Sequence, residues 1–454
     1  MSRRTFAIAA ACAGGFLAFL DTTIVNTAFP GIAASFPDAT AGRLSWVLDA
    51  YFIVIAALLL PAGGIADRLG RKRVFLAGVA LFVVASILCA AAPGWEVLVG
   101  ARALQGAGAA VTMAVSLARR ASGDSGRISA SAVALWGASA ALAAASGPPL
   151  GGLLVELDWR WVFAVNVPLG ALVVVLGHAA FEESRDPKAT GLPDLLGAAL
   201  TIVGLGALAL AILEGEAWGW TSTQVLAGLA VAVLTLAGAA RRCVTHPRPL
   251  VDPALLKTEG FAKANVGIFL LGMAFFSTIL ANVLFLTGVW HYGLLKAGLA
   301  VVPGAIATTI AAIPAGRIAD RHGHRAVIVP GCLLYVAGMA IVRSAGDTPD
   351  FLTTWLPAMA LNGAGLGMAF PTLAAAALTH VGAERFGQAS AVSSAARQFG
   401  GVFGTAILFA IGAPTTLAAA DDVYLVSTLW ALGAAVCALT LVPTPMRRPH
   451  AART

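Results

Sequence analysis

The sequence predicts an all-α integral membrane protein with fourteen transmembrane helices. Hydrophobic residues make up 59% of the 454 positions, charged residues make up only 11%, and the mean hydropathy is +0.86. Soluble domains are about 45–50% apolar and about 25% charged, so a soluble fold is excluded. Apolar stretches of about 18 or more residues, the length of a membrane-spanning helix, recur from one end of the chain to the other. Lysine and arginine are concentrated in alternate loops between these stretches.

Each helix is predicted from an apolar run that a polar or charged loop bounds on either side. Alanine and glycine dominate these runs, which suits helices that pack closely through small residues. The predicted spans are residues 6–29, 45–66, 74–93, 96–118, 129–154, 161–181, 195–213, 224–240, 264–289, 296–318, 326–345, 353–378, 388–411 and 424–442. Because the number of spans is even, both termini are predicted to lie on the same side of the membrane.

The loop charges orient the helices, because cytoplasmic loops of membrane proteins carry most of the lysine and arginine. With fourteen spans, one face receives a roughly fivefold excess of these residues. The other face receives Arg43, Arg160, Lys296 and Arg343. The first face, called the basic face below, also receives both termini. It is predicted to be cytoplasmic, which makes the chain a multi-pass protein of the cell's inner (plasma) membrane.

The composition also argues against other classes of protein. The formal net charge of +7 is carried by short loops and not by a basic patch with interleaved aromatic residues, so nucleic acid is not an expected partner. The five cysteines show neither paired nor metal-ligand spacing. Arg3 and Arg4 imitate the start of a signal peptide, but the following apolar run continues past Asp21 without a convincing cleavage site. The sequence has no Gly-x-x-x-x-Gly-Lys-[Ser/Thr] motif for ATP. We expect no enzyme activity, no cofactor and no metal site.

An internal repeat divides the chain into halves. The first copy has Gly63 followed by Ala66-Asp67-Arg68-Leu69-Gly70-Arg71-Lys72, and the second has Gly316 followed by Ala319-Asp320-Arg321-His322-Gly323-His324-Arg325. Many secondary transporters are built from such repeats around a central site. We therefore predict an N-terminal six-helix half at residues 1–190, two extra helices and a cytoplasmic linker at 191–260, and a C-terminal six-helix half at 261–454.

Five motifs occur in a fixed order along the chain. They are Leu20-Asp21-Thr22-Thr23-Ile24-Val25-Asn26-Thr27-Ala28-Phe29-Pro30, the loop from Gly63 to Lys72, Arg102-Ala103-Leu104-Gln105-Gly106-Ala107-Gly108, Gly147-Pro148-Pro149-Leu150-Gly151-Gly152, and Trp159-Arg160-Trp161-Val162-Phe163 with Asn166-Val167-Pro168. Together they resemble the signatures of the fourteen-span drug:proton antiporters within the major facilitator superfamily, and the resemblance covers essentially the whole chain. It implies the major facilitator fold, with two pseudo-symmetric six-helix halves plus two additional helices.

The same resemblance implies a function. We expect a monomeric, proton-coupled exporter of hydrophobic, often cationic compounds that works by alternating access, with small molecules, protons and the lipid bilayer as partners and the proton gradient as its energy source. Two alternatives with the same fold stay open: export of an endogenous metabolite or lipid, and proton-coupled uptake. The Gly-Pro motif of the fifth helix favours antiport. A membrane receptor without transport is disfavoured by the repeat and by the charges inside the membrane.

Three charged residues are predicted to lie in one layer of the first half. With a rise of about 1.5 Å per residue, Asp21 lies roughly 22 Å along the first helix, which is about 8 Å short of the far boundary of a ~30 Å hydrocarbon core. Arg102 and Asp49 are on helices that run the opposite way, and they lie about 9 Å and 6 Å from that same boundary. An ionised carboxylate in this layer is costly unless a cation is close, and Arg102 is the obvious cation. We therefore predict that Asp21 and Arg102 couple transport to protons, as the resemblance also implies. The alternative is a static ion pair that fixes two helices.

Asp49, flanked by Trp46 and Tyr51, is predicted to bind a lipophilic cation through charge and cation–π contact. The alternative is a hydrated Asp49 near the outer surface, with both aromatic rings at the interface. Other predicted substrate-binding residues are polar side chains within apolar helices. They are Asn26, Gln105, Asn282, Asn362, Arg397 and Gln398. For the last four, contacts that hold helices together are the alternative role.

Conformational gating is predicted for the repeat loops and for the fifth helix. A proline within a helix removes a hydrogen bond and glycines allow close approach, so the fifth helix should bend where the halves meet. Asp67 could hold the cytoplasmic side closed through ion pairs or a helix dipole. The predicted gating residues are Gly63, Asp67, Arg68, Gly70, Arg71, Gly147, Pro148, Gly151, Gly316, Asp320 and Arg321. The alternative is an ordinary loop whose basic residues only fix the topology.

Overall fold

The computed structural model describes residues 3–121, 130–185, 193–382 and 385–441. Within these ranges, thirteen helices are long and apolar enough to cross a membrane, and α5 adds a fourteenth, whose residues Leu142–Leu157 are also apolar. The helices are α1 Arg3–Ser35, α2 Ala41–Leu69, α3 Arg71–Ala90, α4 Trp95–Ala121, α5 Ala130–Leu157, α6 Trp161–Ala180, α7 Leu195–Leu213, α8 Thr223–Thr245, α9 Phe261–Gly288, α10 Leu294–His322, α11 Arg325–Arg343, α12 Phe351–Leu378, α13 Phe386–Ile411 and α14 Leu417–Leu439. The prediction of an all-α, fourteen-helix membrane protein is confirmed.

Two helices contain local irregularities. The α6 span is interrupted at Val165, so that it consists of Trp161–Ala164 and Asn166–Ala180. The first turn of α12, Phe351–Trp355, is π-helical. Several helices extend beyond the predicted apolar runs, because helical hydrogen bonding continues into the polar loops once a side chain caps the first turn. At the start of α2, for example, Thr40 Oγ1 accepts a hydrogen bond from the backbone N–H of Arg43 at 3.2 Å.

The two copies of the repeat have the same backbone geometry. Gly70 follows α2 with φ of 114° and donates its N–H to Ala66 O at 3.0 Å. Gly323 follows α10 with φ of 84° and donates its N–H to Ala319 O at 2.8 Å. A positive φ strains any residue with a Cβ atom, so glycine is required where each helix ends. Both copies therefore make the same tight turn into the next helix.

The helix contacts of the second half repeat those of the first. In the first half, α1 packs on α5 and α6, α2 packs on α4, and α3 packs on α4 and α6. Adding eight to each helix number gives the pairs that pack in the second half: α9 with α13 and α14, α10 with α12, and α11 with α12 and α14. Two symmetry-related contacts join the halves, α5 with α10 and α13 with α2. This arrangement gives two equivalent bundles that meet along two contacts.

The two extra helices form a hairpin against one of those contacts. α7 packs on α8 and also touches both α2 and α13. Arg242 of α8 donates through Nε to both carboxylate oxygens of Asp194 at 2.8 and 3.0 Å, which holds the hairpin together. The outer end of α2 is linked to this hairpin by Arg43, whose Nε lies 3.9 Å from Glu214. The division into units 1–190, 191–260 and 261–454 stays a prediction, and its first boundary lies outside the described residues.

Candidate proton and substrate site

The centre of the first half contains a buried carboxylate held by three donors. Asp21 of α1 is fully buried. Its Oδ2 accepts a hydrogen bond from Arg102 Nη1 at 2.6 Å, and its Oδ1 accepts hydrogen bonds from Gln105 Nε2 and Asn166 Nδ2, each at 2.8 Å. A buried ion pair is tolerated only when further hydrogen bonds satisfy both partners. The surroundings of Asp21 supply those bonds, so this conformation is built around its ionised form.

Arg102 connects this carboxylate to α2. Its Nε donates to the backbone carbonyl of Val47 at 2.8 Å, and its Cζ lies 4.0 Å from the centre of the Tyr51 ring. The Tyr51 hydroxyl in turn donates to Ala18 O of α1 at 3.1 Å. Arg102 is itself fully buried. The guanidinium therefore fixes the segment of α2 that runs from Val47 to Tyr51, as well as Asp21.

Gln105 extends the network to α3. Its Oε1 accepts a hydrogen bond from Arg102 Nη1 at 2.6 Å, and its Nε2 donates to Ser86 Oγ at 2.7 Å as well as to Asp21. The hydroxyl of Ser86 donates onward to Phe82 O at 2.8 Å. The network therefore joins α1, α2, α3, α4 and α6 through side chains with almost no solvent exposure. We call Asp21, Arg102, Gln105, Asn166 and Ser86 the carboxylate network.

Glycines of α4 bring the neighbouring helices close enough for this network to form. A Cβ atom on Gly106 would lie 2.8 Å from Tyr51 O, and one on Gly108 would lie 2.8 Å from Gly78 O. Contacts this short cannot accommodate a larger residue without moving a backbone. The motif that begins at Arg102 thus combines two polar side chains that face α1, α2 and α3 with two glycines that admit α2 and α3.

A second buried carboxylate, Asp49, is on α2, on the side of that helix away from Arg102. Asp49 is fully buried, its Oδ2 accepts a hydrogen bond from Ser45 Oγ at 3.2 Å, and its Oδ1 has no hydrogen-bond partner among the described residues. Phe52, three residues later and so on the same helix face, has its ring centre 4.8 Å from that of Phe276 on α9. A Cβ atom on Gly401 of α13 would lie 3.3 Å from Phe52. Asp49 therefore lies within one helical turn of this contact, on the side of α2 away from Arg102.

The second half contributes a partly buried cation to the same region. Arg397 of α13 points its guanidinium at Phe19 of α1, with Cζ 5.0 Å from the ring centre, and its Nε has no hydrogen-bond partner among the described residues. Gly401 of α13 and Phe52 of α2 lie at the same level, because a Cβ atom on Gly401 would be 3.3 Å from Phe52. Arg397 precedes Gly401 by four residues, and Asp49 precedes Phe52 by three residues on the antiparallel helix. The two charged residues are therefore about 10 Å apart along the helix axes. The contact between Phe52 and Phe276 lies between their levels.

Comparison with known proteins identifies this arrangement. The family model of the Major Facilitator Superfamily matches residues 11–405, with a further match at 264–453. The chain belongs to the Major Facilitator Superfamily. It is 36% identical over 397 residues to the multidrug resistance protein Stp of Mycobacterium tuberculosis, covering 87% of this chain and 73% of that protein. It is 34% identical over 406 residues to the methylenomycin A resistance protein of Streptomyces coelicolor, covering 88% of this chain and 84% of that one.

A solved structure shows the same fold. The xylose transporter XylE from E. coli, in a partially occluded inward open conformation, superposes with a TM-score of 0.66 and covers 99% of this chain and 100% of that one. The sequence identity of the pair is 14%. The resemblance to the superfamily and the predicted fold are both confirmed. This facilitator is therefore a multi-span membrane transporter and not an enzyme.

The structure brings together some of the predicted site residues and separates others. Asp21 and Arg102 are in direct contact, as expected, while their role in proton coupling stays a prediction. Gln105 lies inside the carboxylate network and is fully buried there, and its role in binding substrate stays a prediction. Tyr51 does not flank Asp49, because residues two apart lie on nearly opposite sides of a helix, and its ring instead covers Arg102. Asp49 itself is buried, which contradicts the hydrated alternative.

The remaining predicted substrate-binding residues are mostly engaged with the protein. The Nδ2 of Asn26 donates to Thr22 O of its own helix at 2.6 Å. Asn282 accepts from Tyr424 Oη at 3.1 Å and lies 3.5 Å from Met359 Sδ, so it links helices, which is the alternative role named for it. Trp46 is half-buried against the apolar core, and Gln398 is buried. The side-chain amide of Asn362 is buried without a hydrogen-bond partner among the described residues.

Two of the predicted gating residues of α5, Gly147 and Gly151, pack against α1 of the same half. A Cβ atom on Gly151 would lie 2.8 Å from Ile24 O, and one on Gly147 would collide with Thr23, so both glycines face α1 of the same half. The contact between the halves uses other atoms. Gly152 packs on the backbone of Leu294 in α10, and Pro148 O is covered by Gly298. α5 therefore meets the second half at Pro148 and Gly152, and the predicted bend of this helix stays a prediction.

In the first repeat loop, Asp67 accepts a hydrogen bond from Arg71 Nε at 2.8 Å, which joins the end of α2 to the start of α3. Among the described residues, Asp320 and Arg321 of the second copy form no ion pair, and Arg68 and Arg321 are exposed. Gly63 and Gly316 have no side chain or backbone within 4 Å of the position that a Cβ atom would occupy. Gating by these residues stays a prediction.

Three important side chains were not among the predicted site residues. Asn166 donates to Asp21, Ser86 accepts a hydrogen bond from Gln105, and Phe52 makes an aromatic contact between the halves. Asn166 was visible as part of the Asn-Val-Pro motif at the start of the sixth helix, but that motif gives no partner. Ser86 is a single hydroxyl in an apolar run. Only the packing of α3 and α6 on α1 and α4 shows what these residues do.

Proposed function

We propose that this facilitator exports small amphipathic molecules, often cationic, across the inner membrane in exchange for protons. The observation that carries the proposal is the position of two carboxylates on either side of one segment of α2. Asp21 reaches this segment through Arg102, and Asp49 lies on its other face, one turn from the contact of Phe52 with Phe276 of the second half. The names of the relatives, which refer to multidrug resistance and to methylenomycin A resistance, support small-molecule export.

The proton would act on the carboxylate network. When Asp21 accepts a proton, the charge that holds Arg102 at 2.6 Å is lost, and the guanidinium is left with neutral partners: the carbonyl of Val47, Oε1 of Gln105 and the ring of Tyr51. A buried cation without a counter-ion is strongly disfavoured, so Arg102 must move or bind another anion. Either response alters its contact with α2. The protonation state of Asp21 would thereby change the position of the segment that also carries Asp49 and Phe52.

The substrate would act on the other face of the same segment. Asp49 has one carboxylate oxygen with no partner among the described residues, in a buried position one helical turn before Phe52. A cationic substrate would supply that partner, and the rings of Phe52 and Phe276 would contact its apolar part. Because substrate and proton bias the same segment in two conformations, their movements become linked. This is the physical basis that we propose for exchange.

The conformation of the structure supports alternating access. Contacts between the halves close the face opposite the basic face: Gly152 packs on Leu294, and the rings of Phe29 and Phe409 are 5.3 Å apart. At the basic face, Gly63 and Gly316 have open space beside them. If the basic face is cytoplasmic, as the loop charges predict, this is an inward-facing state with both termini in the cytoplasm. We propose a monomer driven by the proton gradient without a cofactor.

Proton movement in inverted membrane vesicles tests the proposal. The lumen is first acidified by respiration, and ethidium, a lipophilic cation, is then added outside while a fluorescent dye reports the lumenal pH. Exchange predicts that ethidium raises the lumenal pH, and that Asp21→Asn abolishes the rise while Asp38→Asn, which removes an exposed carboxylate, does not. Proton-coupled uptake instead predicts no rise with ethidium outside and proton exit when the substrate is loaded in the lumen. That result, or a full rise with Asp21→Asn, would overturn the proposal.

A further inference from the structure

A cavity of about 380 Å³ opens at the basic face, where α2 ends and α3 begins. It lies apart from the carboxylate network and from the face of α2 that carries Asp49. Three arginines form its polar wall, and three apolar side chains form the rest. The lining residues are Arg68, Arg73, Arg185, Leu69, Val74 and Ala77. The combination of guanidinium groups with an apolar floor indicates an amphipathic anion as the ligand.

The charge of this cavity is positive after its own carboxylates are counted. Glu183 lies nearby, but its oxygens accept the backbone N–H groups of Lys72 and Arg73 at 3.1 and 3.3 Å, and one of them lies 3.7 Å from Arg73 Nε. Asp67 is paired with Arg71. Among the described residues, three arginines line the cavity, and the carboxylate hydrogen-bonded beside them is that of Glu183, which already caps the first turn of α3. The cavity has the capacity to bind a further anion.

The surface of α3 continues the apolar floor into the membrane. Ala77 is exposed, and it is followed on the same side of the helix by Leu81, Val84 and Leu88, whose exposed fractions are 37%, 54% and 44%. These four residues follow one another at intervals of three or four, so they form one continuous stripe. The stripe is about 16 Å long, which is close to half of the ~30 Å hydrocarbon core. It has the length of one lipid leaflet.

We propose that this cavity binds an anionic glycerophospholipid of the basic-face leaflet. The phosphate lies between Arg68, Arg73 and Arg185, and one acyl chain runs from Ala77 along the α3 stripe. Basic pockets between membrane helices bind anionic lipid headgroups in this way, and each cation near the surface contributes about tenfold or less to affinity. The site does not depend on which compound the protein transports or on the direction of transport.

Native mass spectrometry of the purified full chain in mild detergent tests the site. The protein is titrated with dioleoyl phosphatidylglycerol and, separately, with dioleoyl phosphatidylcholine. We expect the anionic lipid to bind more tightly, and Arg73→Gln combined with Arg185→Gln to weaken its binding roughly thirtyfold. The matched control removes two charges elsewhere on the same face, through Arg241→Gln and Lys257→Gln, and should leave the preference intact. In a second variant, Ala77→Trp, the larger side chain fills the cavity and should block binding without removing a charge.

Each remaining outcome would overturn the proposal. Equal binding of the two lipids, or equal loss in the control variant, would show a general charge effect without a site. Displacement of the lipid by an excess of inorganic phosphate would show that the arginines bind a free phosphate and that the apolar stripe contributes nothing. Unchanged binding in Ala77→Trp would place the lipid elsewhere. Thermal unfolding of every variant establishes that it is folded when it is tested.

Discussion

Replacing Asp21 with asparagine separates two roles that its contacts allow. The carboxylate either holds Arg102 in place permanently, or it releases Arg102 each time it takes up a proton. In the wild-type chain, Asp21 accepts three hydrogen bonds, from Arg102, Gln105 and Asn166. Asparagine keeps one acceptor oxygen but turns the other position into a donor. At least one of the three donors then loses its acceptor, and the buried guanidinium loses its counter-ion.

The magnitude follows from that loss. Removing one partner of a buried ion pair costs about 3–5 kcal/mol, because the other charge stays buried and uncompensated. Asp21→Asn should therefore lower the free energy of unfolding by about that amount. Adding Arg102→Gln removes the stranded charge, and neutral replacements of buried pairs are often no less stable than the pair. The double variant should recover most of the loss, which thermal unfolding in detergent measures directly.

Transport by the double variant distinguishes the two roles. A static pair is replaced by a neutral hydrogen-bonded pair, so ethidium-dependent alkalinisation of inverted vesicles would continue near the wild-type rate. A proton switch cannot work without an ionisable group at position 21, so the stable double variant should move no protons. The reasoning is refuted if Asp21→Asn with Arg102→Gln is stable and still couples ethidium export to proton entry. A double variant that never recovers stability would instead refute the account of the ion-pair energy.

Neighbouring contacts predict three further effects. Asn166→Ala removes one donor to Asp21 and should lower the free energy of unfolding by about 1–3 kcal/mol, measured by thermal unfolding. Asp49→Asn should weaken export of ethidium about tenfold or more while leaving neutral chloramphenicol unchanged, because only the cation uses the carboxylate. Gly152→Val should force α5 away from α10, since a Cβ atom already falls 2.5 Å from Leu294 O, and should lengthen spin-label distances between these helices at the face opposite the basic face. A fourth effect concerns pH: burial lowers the pKa of His324, against the opposing pull of Asp320, so the folded protein should lose stability as the pH falls below about 6.5.

Matched controls make these results interpretable. Asn265→Ala removes a buried amide that bonds only to the carbonyl of Phe261 in its own helix, so it should cost less than Asn166→Ala. Gly100→Val adds a side chain where nothing lies within 4 Å, so it should leave the distance between labels at Leu157→Cys and Lys296→Cys unchanged. An equal loss of ethidium and chloramphenicol export in Asp49→Asn would contradict a cation site. If His324→Gln keeps the same dependence of melting temperature on pH, another group is responsible.

The sign of the pH effect follows from linkage. Because the pKa of His324 is lower in the folded protein than in the unfolded chain, the unfolded chain binds the proton more tightly. Stability is therefore unaffected well above the unfolded pKa and decreases as the pH falls through it toward the lower folded value. His324 also stands at the start of α11, where a positive charge opposes the helix dipole. Both effects act in the same direction.

Much of the fold could be predicted because the membrane restricts the possible structures. Every backbone group in the hydrocarbon must be bonded within its own segment, so apolar runs of sufficient length can only be helices. The alternation of basic loops then sets the order of crossings, and the repeat indicated the halves. The pair Asp21 and Arg102 could also be predicted, because an intramembrane charge requires a partner and few were available at the same depth.

The orientation of side chains around each helix could not be predicted in the same way. Asp49 and Tyr51 are two positions apart and so lie on nearly opposite sides of α2, and the ring of Tyr51 covers Arg102. The glycines of α5 also face different helices: Gly151 packs against α1, and Gly152 packs against α10. A run that is apolar on every side has no polar face to reveal its rotation, so the facing partner is decided by packing alone.

The sequence by itself therefore determined the number of helices, the repeat, the family and the presence of a buried acid that needs a cation. Hydrophobic length and charge are properties of the residues, and they act whatever the neighbours are. The tertiary structure decided that Asn166 and Gln105 share Asp21 and that Asp21 of α1 and Asp49 of α2 are buried among different partners. These contacts join residues more than 80 positions apart, and their geometry depends on how closely glycines allow the helices to approach.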